Sequence, residues 1–334
     1  MSGLAIPVAE QSQVSEARRQ AVTMCRELGF TQERAGAVAL VVTEAATNLL
    51  KHAGSGTIVL NALIVDSARG IEVMALDRGS GMSNVSLSMQ DGHSTAGSPG
   101  LGLGALSRLS SEFDVYSRKG GGTALRCAVW SKAPPLKSKE IEVGAVCIPI
   151  AGEAVSGDDW VVYGAKGRYI LLVVDGLGHG PGAAEAAQAA KETVEAKPSR
   201  TPAEHMEAMH RTLRSTRGAA AAVIELKPSS EVGTFCGIGN ISCSVRSGSD
   251  LRSLASHNGI VGHQMRKTQE FGFPFRNGAL LFAYSDGMTS RWDSSTYPGL
   301  ESRHPALIAG VLYRDHSRGR DDTTIVVARN TRTD

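Results

Sequence analysis

Three short apolar segments in the second half of the chain each adjoin one or two aspartates. They are residues 169–174 with Asp175, 279–285 with Asp286, and 323–328 with Asp321 and Asp322. Segments of this length and composition are typical of buried β-strands. An Asp-Gly pair after a single strand would predict no more than a turn. Carboxylates at the ends of several strands can instead converge on one rim of a sandwich, where hard divalent cations relieve their mutual repulsion.

The elements around these segments predict a β-sandwich. Further strands are expected near residues 141–150, 160–164, 219–226, 231–237 and 241–246. Helices are expected at residues 182–196, 203–214 and 305–313. Many strands around a pair of helices indicate sheets that pack on each other, with the helices outside.

The first half has a different order of elements, which predicts an α/β sandwich. Apolar residues from Val14 to Leu28 repeat at helical spacing, and Gly29 ends that helix. Thr31 is a suitable N-cap for a second helix, whose apolar face extends to Leu49. Strands are expected at residues 57–65, 71–76, 112–117 and 123–130. The expected fold class is therefore α+β, with an α/β sandwich followed by a β-sandwich flanked by helices.

A polar, proline-containing segment separates the two halves. Pro134 and Pro135 interrupt regular structure, and the lysines and serines around them favour solvent. We therefore predict a first domain at residues 1–131, a linker at 132–140 and a second domain at 141–334. A chain of 334 residues is long enough for each domain to bury its own core.

The composition argues against several partners and sites. The formal net charge is +2 and no dense basic segment is present, so neither nucleic acid nor a membrane surface is indicated. No apolar segment approaches the roughly 20 residues that cross a bilayer, and the N-terminus lacks the pattern of a signal peptide. Five cysteines without a C-x-x-C pair indicate a reducing, cytoplasmic setting. Without a histidine and cysteine cluster, manganese or magnesium suits the aspartates better than zinc.

Three segments of the first half carry groups that suit a nucleotide. Glu44 and Asn48 are four residues apart and project side by side from the second helix. Asp77 begins the segment Asp-Arg-Gly-Ser-Gly at a strand end, and residues 100–104 form a glycine-rich start of a helix, which suits phosphate. Each segment alone would indicate a solvated helix face, a turn or a nonspecific glycine run. Their order and spacing favour a common site.

In this order the segments resemble the GHKL ATPase superfamily, and more closely the RsbT/RsbW-type serine kinases, over residues 10–130. The resemblance implies that Asn48 holds Mg²⁺ against the phosphates of ATP and that Asp77 accepts from the adenine amino group. It implies that Glu44 is the catalytic base next to the γ-phosphate. The other residues implied to contact the nucleotide are Gly79, Gly81, Gly100, Gly102, Gly104 and Thr123. Residues 83–99 would form a lid.

The second half resembles the PPM phosphatases in their bacterial SpoIIE/RsbX form, over residues 141–330. The motifs that carry the resemblance are Ser156-Gly-Asp158, Asp175-Gly-Leu-Gly-His-Gly180, Gly239-Asn240, His257-Asn-Gly259, Ser285-Asp-Gly287 and Asp321-Asp-Thr323. The resemblance implies that Asp175 bridges two Mn²⁺ or Mg²⁺ ions and that the Gly176 carbonyl completes one coordination shell. Asp286 and Asp321 would bind the other ion, and Asp158 would act through water.

Two assignments stay open from the sequence. Asp321 and Asp322 differ by one position, and either suits the last ligand. His179 suits a general acid, and equally a supporting role beside the metal or a helix cap.

Together the two resemblances imply opposing activities on one class of partner. The second half would remove phosphate from phosphoserine or phosphothreonine, and the first half would add it. The implied partners are STAS-domain proteins of partner-switching circuits that control sigma factors or second-messenger enzymes. In one alternative the ATP-binding half only docks a STAS partner or regulates the phosphatase. In another, one half is a degenerate remnant, which the presence of Glu44, Asn48 and Asp175 disfavours.

Overall fold

The computed structural model describes residues 2–85, 102–133, 140–165, 167–292 and 296–332. Its contacts divide the chain into two compact units. The first contains Gly3–Leu136 together with Ser302–Arg314, and the second contains Lys137–Glu301 with Asp315–Asp334. Residues 302–314 thus lie in the first unit, although they fall within the predicted second domain. No helix in the described residues is both long and apolar enough to cross a membrane.

One five-stranded antiparallel sheet and the helices on it form most of the first unit. In sheet order the strands are β1 (Leu4–Val8), β2 (Gly56–Val65), β3 (Ala68–Leu76), β5 (Thr123–Trp130) and β4 (Glu112–Ser117). The helices on it are α1 (Gln11–Glu27), α2 (Gln32–Ala53) and α3 (Gly102–Leu109). Their apolar faces share a core with one face of the sheet, and Val42, Ile71 and Leu106 lie in it. The α/β sandwich expected for this half is confirmed.

Local sequence sets both ends of helix α2. The Thr31 hydroxyl oxygen accepts the backbone N–H of Arg34 at 3.3 Å, which satisfies a donor that the first turn leaves unpaired. At the other end Gly54 takes a φ of +76°, a conformation that costs glycine little. One continuous helix of 22 residues therefore carries Glu44 and Asn48 one turn apart.

Strand β3 is buried on both of its faces. Ile71 and the alternate residues after it belong to the core under α1 and α2. Met74 and Leu76 face the opposite way, toward helix α6 (Pro305–His316). A Cβ atom added to Gly310 of α6 would lie 2.9 Å from the Met74 sulfur and 3.3 Å from Leu76. The glycine therefore lets α6 pack closely on the strand.

Two five-stranded antiparallel sheets form the second unit. One has the order β13 (Phe271–Pro274), β10 (Val232–Ile238), β9 (Ala219–Lys227), β8 (Arg168–Gly176) and β7 (Asp158–Ala165). The other has the order β12 (Asp250–Leu254), β11 (Ser242–Ser247), β14 (Leu280–Tyr284), β15 (Thr323–Asn330) and β6 (Ile141–Ile148). Both sheets contribute to one core, Leu171 and Val173 from β8 and Leu281 and Val326 from the other sheet. The expected β-sandwich is confirmed.

Two helices, α4 (Pro181–Glu195) and α5 (Pro202–Thr212), cover the outer face of the sheet that contains β8. Leu172 of β8 belongs there to a second core with Ala187 of α4 and Met206 of α5. Because successive side chains of a strand point to opposite faces, β8 is apolar on both. This explains why its sequence does not alternate between apolar and polar residues.

Three strands are not predicted by the sequence pattern, and all three lie at sheet edges. They are β1, β12 and β13. Strand β1 contains Pro7, which an edge position tolerates because one side of the strand needs no hydrogen bonds. Strand β12 exposes four of its five residues, so it has no apolar pattern to detect.

The five cysteines are all buried, and none of them forms a disulfide. Burial raises the pKa of the Cys25 thiol to about 11 and that of the Cys147 thiol to about 12. Thiols with such pKa values react slowly at neutral pH, so these side chains serve as small core residues.

Candidate active sites

The nucleotide-binding carboxylate predicted at Asp77 lies directly after strand β3. Its Oδ1 accepts the backbone N–H groups of Gly79 at 2.8 Å and Thr123 at 3.1 Å. Within the part of the chain that the structure describes, no donor is paired with its Oδ2. Two hydrogen bonds therefore orient the carboxylate and leave one oxygen for a ligand's amino group.

Glycines permit close backbone contacts around Asp77. A Cβ atom on Gly81 would lie 2.0 Å from the Arg118 carbonyl oxygen, and one on Gly122 would lie 2.1 Å from that of Asp77. Both glycines have positive φ, +64° and +71°. The Gly122 N–H donates to the Gly79 carbonyl at 3.1 Å. The segment after β3 and the turn before β5 are therefore held together, which explains why glycines stand in both.

Glu44 and Gly102, both predicted to act on the phosphates, are brought together. The Gly102 N–H at the start of α3 donates to Glu44 Oε1 at 3.2 Å. Asn48 lies one turn further along α2. Gly104 is buried in the first turn of α3. Gly100 and most of the predicted lid lie outside the described residues.

An arginine that the sequence did not identify contacts the same segment. Arg314 Nη1 donates to the Asp77 carbonyl oxygen at 2.7 Å, and Arg78 donates to the carbonyl oxygen of Arg314. All three residues belong to the first unit. No local pattern could reveal Arg314, because 237 positions separate it from Asp77.

Aspartates from four strand ends interact in the second unit. Asp158 and Asp175 are partners in the register of β7 and β8. Burial and then the negative charges of four other aspartates raise the pKa of Asp175 to about 9. The four are Asp158, Asp286, Asp321 and Asp322. Burial also raises the pKa of Asp158 to about 7. The carboxylates thus act on one another electrostatically.

Two polar side chains orient these aspartates. Ser285 Oγ donates to Asp158 Oδ2 at 2.6 Å, and Asn240 Nδ2 donates to Asp286 Oδ2 at 2.7 Å. Ser285 Oγ also accepts the backbone N–H of Thr324 at 3.0 Å. Ser285 and Asn240 both belong to the sequence motifs of this half, but the motifs alone assign neither a role. Their positions beside the aspartates were the available signal.

Asp321 and Asp322 have different surroundings. Asp322 is buried, and its two carboxylate oxygens accept the backbone N–H groups of Ile150 and Gly157, each at 2.7 Å. Asp321 is exposed, and its Oδ1 accepts the N–H of Asp322 at 2.9 Å. Asp322 therefore ties two loops to the start of β15.

Glycines after the strands let these segments approach closely. A Cβ atom on Gly176 would lie 2.1 Å from the Ala183 carbonyl oxygen, and one on Gly287 would lie 2.0 Å from that of Asp322. Contacts this short exclude a side chain at either position. The Asp-Gly pairs at 175–176 and 286–287 thus have a packing reason in addition to any role in a turn.

His179 is engaged by a carboxylate. Its Nδ1 lies 2.7 Å from Glu153 Oε1, and its backbone carbonyl accepts from Arg217 Nη1 at 3.4 Å. The N-cap of α4 is Gly180, and no side chain of the described residues caps that helix. Of the roles considered for His179, a side-chain helix cap is therefore ruled out.

The chemistry of the five interacting aspartates suits the binding of hard divalent cations. Their charged donors are all oxygens, and the repulsion that raises the pKa of Asp175 is what positive ions offset. Among the described residues, no three histidine, cysteine or acidic side chains already enclose a metal position.

Comparison with known proteins identifies both halves. Residues 8–129 match the family described as histidine kinase-like ATPase domain, and residues 165–331 match stage II sporulation protein E (SpoIIE). The serine/threonine-protein kinase RsbT of Bacillus subtilis (strain 168) is 32% identical over 114 residues, 34% of this chain and 86% of RsbT. Phosphoserine phosphatase RsbX of the same organism is 24% identical over 139 residues, 41% of this chain and 69% of RsbX.

A solved structure is also similar to this chain. Its description is "The bacterial stressosome: a modular system that has been adapted to control secondary messenger signaling". The TM-score is 0.54 at 27% sequence identity, over 57% of this chain and 100% of the other. This chain therefore belongs to the SpoIIE family, with an RsbT-like histidine kinase-like ATPase domain in its first half. Its second half has the PPM-type serine/threonine phosphatase fold.

Proposed function

We propose that this protein is a Mn²⁺- or Mg²⁺-dependent phosphatase that acts on phosphoserine or phosphothreonine in a STAS-domain partner. One observation carries the proposal. Burial and the charges of four aspartates at three other strand ends raise the pKa of Asp175, and Asp158 pairs with it in the register of β7 and β8. Such an arrangement is costly without bound cations, and a functional site is the common reason for it.

Within this proposal each aspartate has a role. Asp175 would hold both cations, with the Gly176 carbonyl beside it. Asp286 and Asp321 would hold the second ion, and Asp158 would act through water. When bound, the cations would acidify water and neutralise the phosphate charge.

The neighbouring polar groups support these roles. Ser285 holds Asp158 and Asn240 holds Asp286, each by a short hydrogen bond, and ligands held in this way keep their orientation. We assign the last ligand to Asp321 rather than Asp322, because both oxygens of Asp322 already accept backbone N–H groups.

The proposal is tested by Asp175→Asn on p-nitrophenyl phosphate and a phosphoserine peptide with Mn²⁺. Loss of the shared charge should lower kcat/KM by about 100-fold or more. The fold should survive, because removing one carboxylate relieves repulsion. Asp250→Asn, at an exposed edge strand, is the matched control and should behave as wild type. Wild-type turnover in Asp175→Asn would exclude the proposed site.

For the first unit we propose ATP binding with Mg²⁺ and transfer of phosphate to the same class of partner. The support is the RsbT-like sequence, the oriented Asp77 carboxylate with one available oxygen, and the approach of Glu44 to the start of α3. In this arrangement Asp77 recognises adenine, Asn48 holds Mg²⁺ and Glu44 is the base.

Two observations support the proposal that the partner is a STAS-domain protein. RsbT and RsbX, a kinase and a phosphatase by name, are similar to the two halves of this one chain. The similar solved structure is described as a stressosome adapted to secondary messenger signaling. A kinase module and a phosphatase module in one chain suit control of a single phosphorylated partner.

A second candidate is that the first unit binds ATP without transferring phosphate. The observation that favours it is the hydrogen bond from Gly102 to Glu44, since it engages the carboxylate that a transfer reaction needs. Incubation with γ-labelled ATP and a cognate STAS protein separates the two. Label on the partner with wild type but not with Glu44→Ala supports the kinase, whereas no label with either supports docking alone.

A further inference from the structure

Arg217 is held beside the loop that leaves the central aspartate of the second unit. It lies two residues before strand β9, and in the register of β8 and β9, Gly176 pairs with Ala219. The Gly218 carbonyl accepts the N–H of Leu177 at 3.0 Å. Arg217 is therefore fixed next to residues 177–182, which directly follow Asp175 and Gly176.

The guanidinium group of Arg217 lies across that loop. Its Nη1 donates to the His179 carbonyl at 3.4 Å. A Cβ atom on Gly182 would lie 2.7 Å from its Nε, and one on Gly178 would lie 3.3 Å from its Nη1. Two glycines thus make room for an arginine, and one long hydrogen bond positions it.

Among the described residues, the charge of Arg217 has no acidic partner. The residue is exposed, and no carboxylate in the described ranges forms an ion pair with it. Glu153, from an earlier loop, reaches this segment but contacts His179 instead, with 2.7 Å between its Oε1 and the Nδ1 of His179. A cation without an ion-pair partner on the loop that directly follows Asp175 is suited to an anion that has to approach the aspartates.

We propose that Arg217 binds the phosphate group of the phosphoprotein substrate. This inference rests on the proposed phosphatase function. A planar guanidinium can donate two hydrogen bonds to phosphate oxygens, and its charge offsets the repulsion that a phosphate dianion meets from the surrounding carboxylates. Arg217 is a substrate-binding residue in this view, and it takes no part in holding the metal ions.

The test compares Arg217→Ala with Arg214→Ala in the full-length protein with Mn²⁺. Arg214 is an exposed arginine of the same segment, three residues earlier, and is the matched control. For Arg217→Ala we expect KM for a phosphoserine peptide and the inhibition constant of inorganic phosphate to rise about tenfold, with kcat changed by less than about threefold. Arg214→Ala should leave all three as in wild type. Arg217→Lys should recover part of the phosphate affinity, because it keeps the charge.

Two readouts separate phosphate binding from a structural role. If Arg217 only supports the loop at residues 177–182, its loss should weaken Mn²⁺ binding and lower kcat, which would overturn the inference. Unchanged KM and unchanged phosphate inhibition in Arg217→Ala would overturn it as well. A wild-type protein that hydrolyses neither the peptide nor p-nitrophenyl phosphate would overturn the phosphatase proposal itself, and this inference with it.

Discussion

At the scale of single residues, two adjacent aspartates have opposite tasks. Asp322 is buried, and its two carboxylate oxygens accept hydrogen bonds from the backbone N–H groups of Ile150 and Gly157. Asp321 is exposed, and its charge contributes to the raised pKa of Asp175. The pair therefore separates a structural carboxylate from a proposed metal ligand.

Substitution of the two aspartates should separate stability from activity. Asp322→Ala leaves two backbone donors without partners and should lower the free energy of unfolding by about 2–4 kcal/mol. Asp321→Asn should leave thermal unfolding unchanged and weaken Mn²⁺-dependent hydrolysis by about tenfold or more. Calorimetry and p-nitrophenyl phosphate assays over a Mn²⁺ titration measure both. Full activity in Asp321→Asn at low Mn²⁺ would show that the ligand was assigned wrongly.

The hydrogen bonds of Asp77 make a similar prediction for nucleotide binding. Its Oδ1 accepts two N–H groups, so an asparagine would keep its oxygen there and turn its NH₂ group toward the adenine amino group. Asp77→Asn should therefore raise the Kd for ATP by about tenfold or more in isothermal titration.

Two variants act as controls for Asp77→Asn. Asp66→Asn is matched, since Asp66 lies in an exposed turn with a φ of +49° that asparagine also adopts, and it should not change the Kd. Glu44→Ala should keep affinity, because its proposed role is in the chemical step. Equal losses of affinity in Asp77→Asn and Glu44→Ala would contradict this division of roles.

At the scale of elements, helix α6 determines how strand β3 is buried. Without α6, the apolar side chains of Met74 and Leu76 would be exposed on an open face of the sheet. Gly310 has no side chain, so α6 can pack closely against both of them. The helix follows β14 in the chain but packs in the first unit. It therefore stabilises the strand that ends at the proposed adenine-binding carboxylate.

A glycine-to-valine substitution, made once in α6 and once in α2, tests how tightly α6 packs on β3. Gly310→Val in α6 places methyl groups against Met74 and Leu76 and should lower the free energy of unfolding by about 1–3 kcal/mol. Gly36→Val in α2, where a Cβ atom meets no neighbour within 4 Å, should leave stability unchanged or slightly higher. Thermal unfolding followed by calorimetry compares them, and equal effects at both positions would mean that α6 does not pack tightly on β3.

At the scale of the whole molecule, one chain carries an ATPase-type domain and a phosphatase-type domain. If both are active on one partner, ATP is consumed while the partner reaches partial phosphorylation. The ratio of the two activities then sets the partner's state. This gives an observable that the two sites shift in opposite directions.

Phosphate-affinity gels on a cognate STAS protein, with ATP, Mg²⁺ and Mn²⁺, measure that state. Wild type should give partial phosphorylation, Asp175→Asn nearly full phosphorylation, and Glu44→Ala none. Unfolding of the whole chain would remove both activities and so would not produce this opposite pair of shifts, and calorimetry on each variant checks that the substituted domain stays folded. A partner that stays unphosphorylated even with Asp175→Asn would leave the first unit as an ATP-dependent docking module and the phosphatase proposal intact.

The sequence alone determined the fold class and the location of the aspartates. A buried strand and the Asp-Gly pair after it are local patterns of fewer than about ten residues, so they can be recognised without knowing what packs on them. The Thr31 cap, the long helix α2 and the strands before Asp175 and Asp286 were found in this way.

The tertiary structure alone decided features that depend on distant partners. The two donors that engage Asp322 lie 172 and 165 positions away, and Arg314 lies 237 positions from Asp77. Arg217 has no distinguishing pattern around it in the sequence, and only the pairing of β8 with β9 places it against the loop that follows Asp175. Edge strands and the packing of α6 on β3 likewise leave no local pattern. Strand β12 forms a hairpin with its chain neighbour β11, and its exposed residues give no apolar pattern. In the other cases the energy comes from a contact between segments far apart in the chain, which residue spacing does not encode.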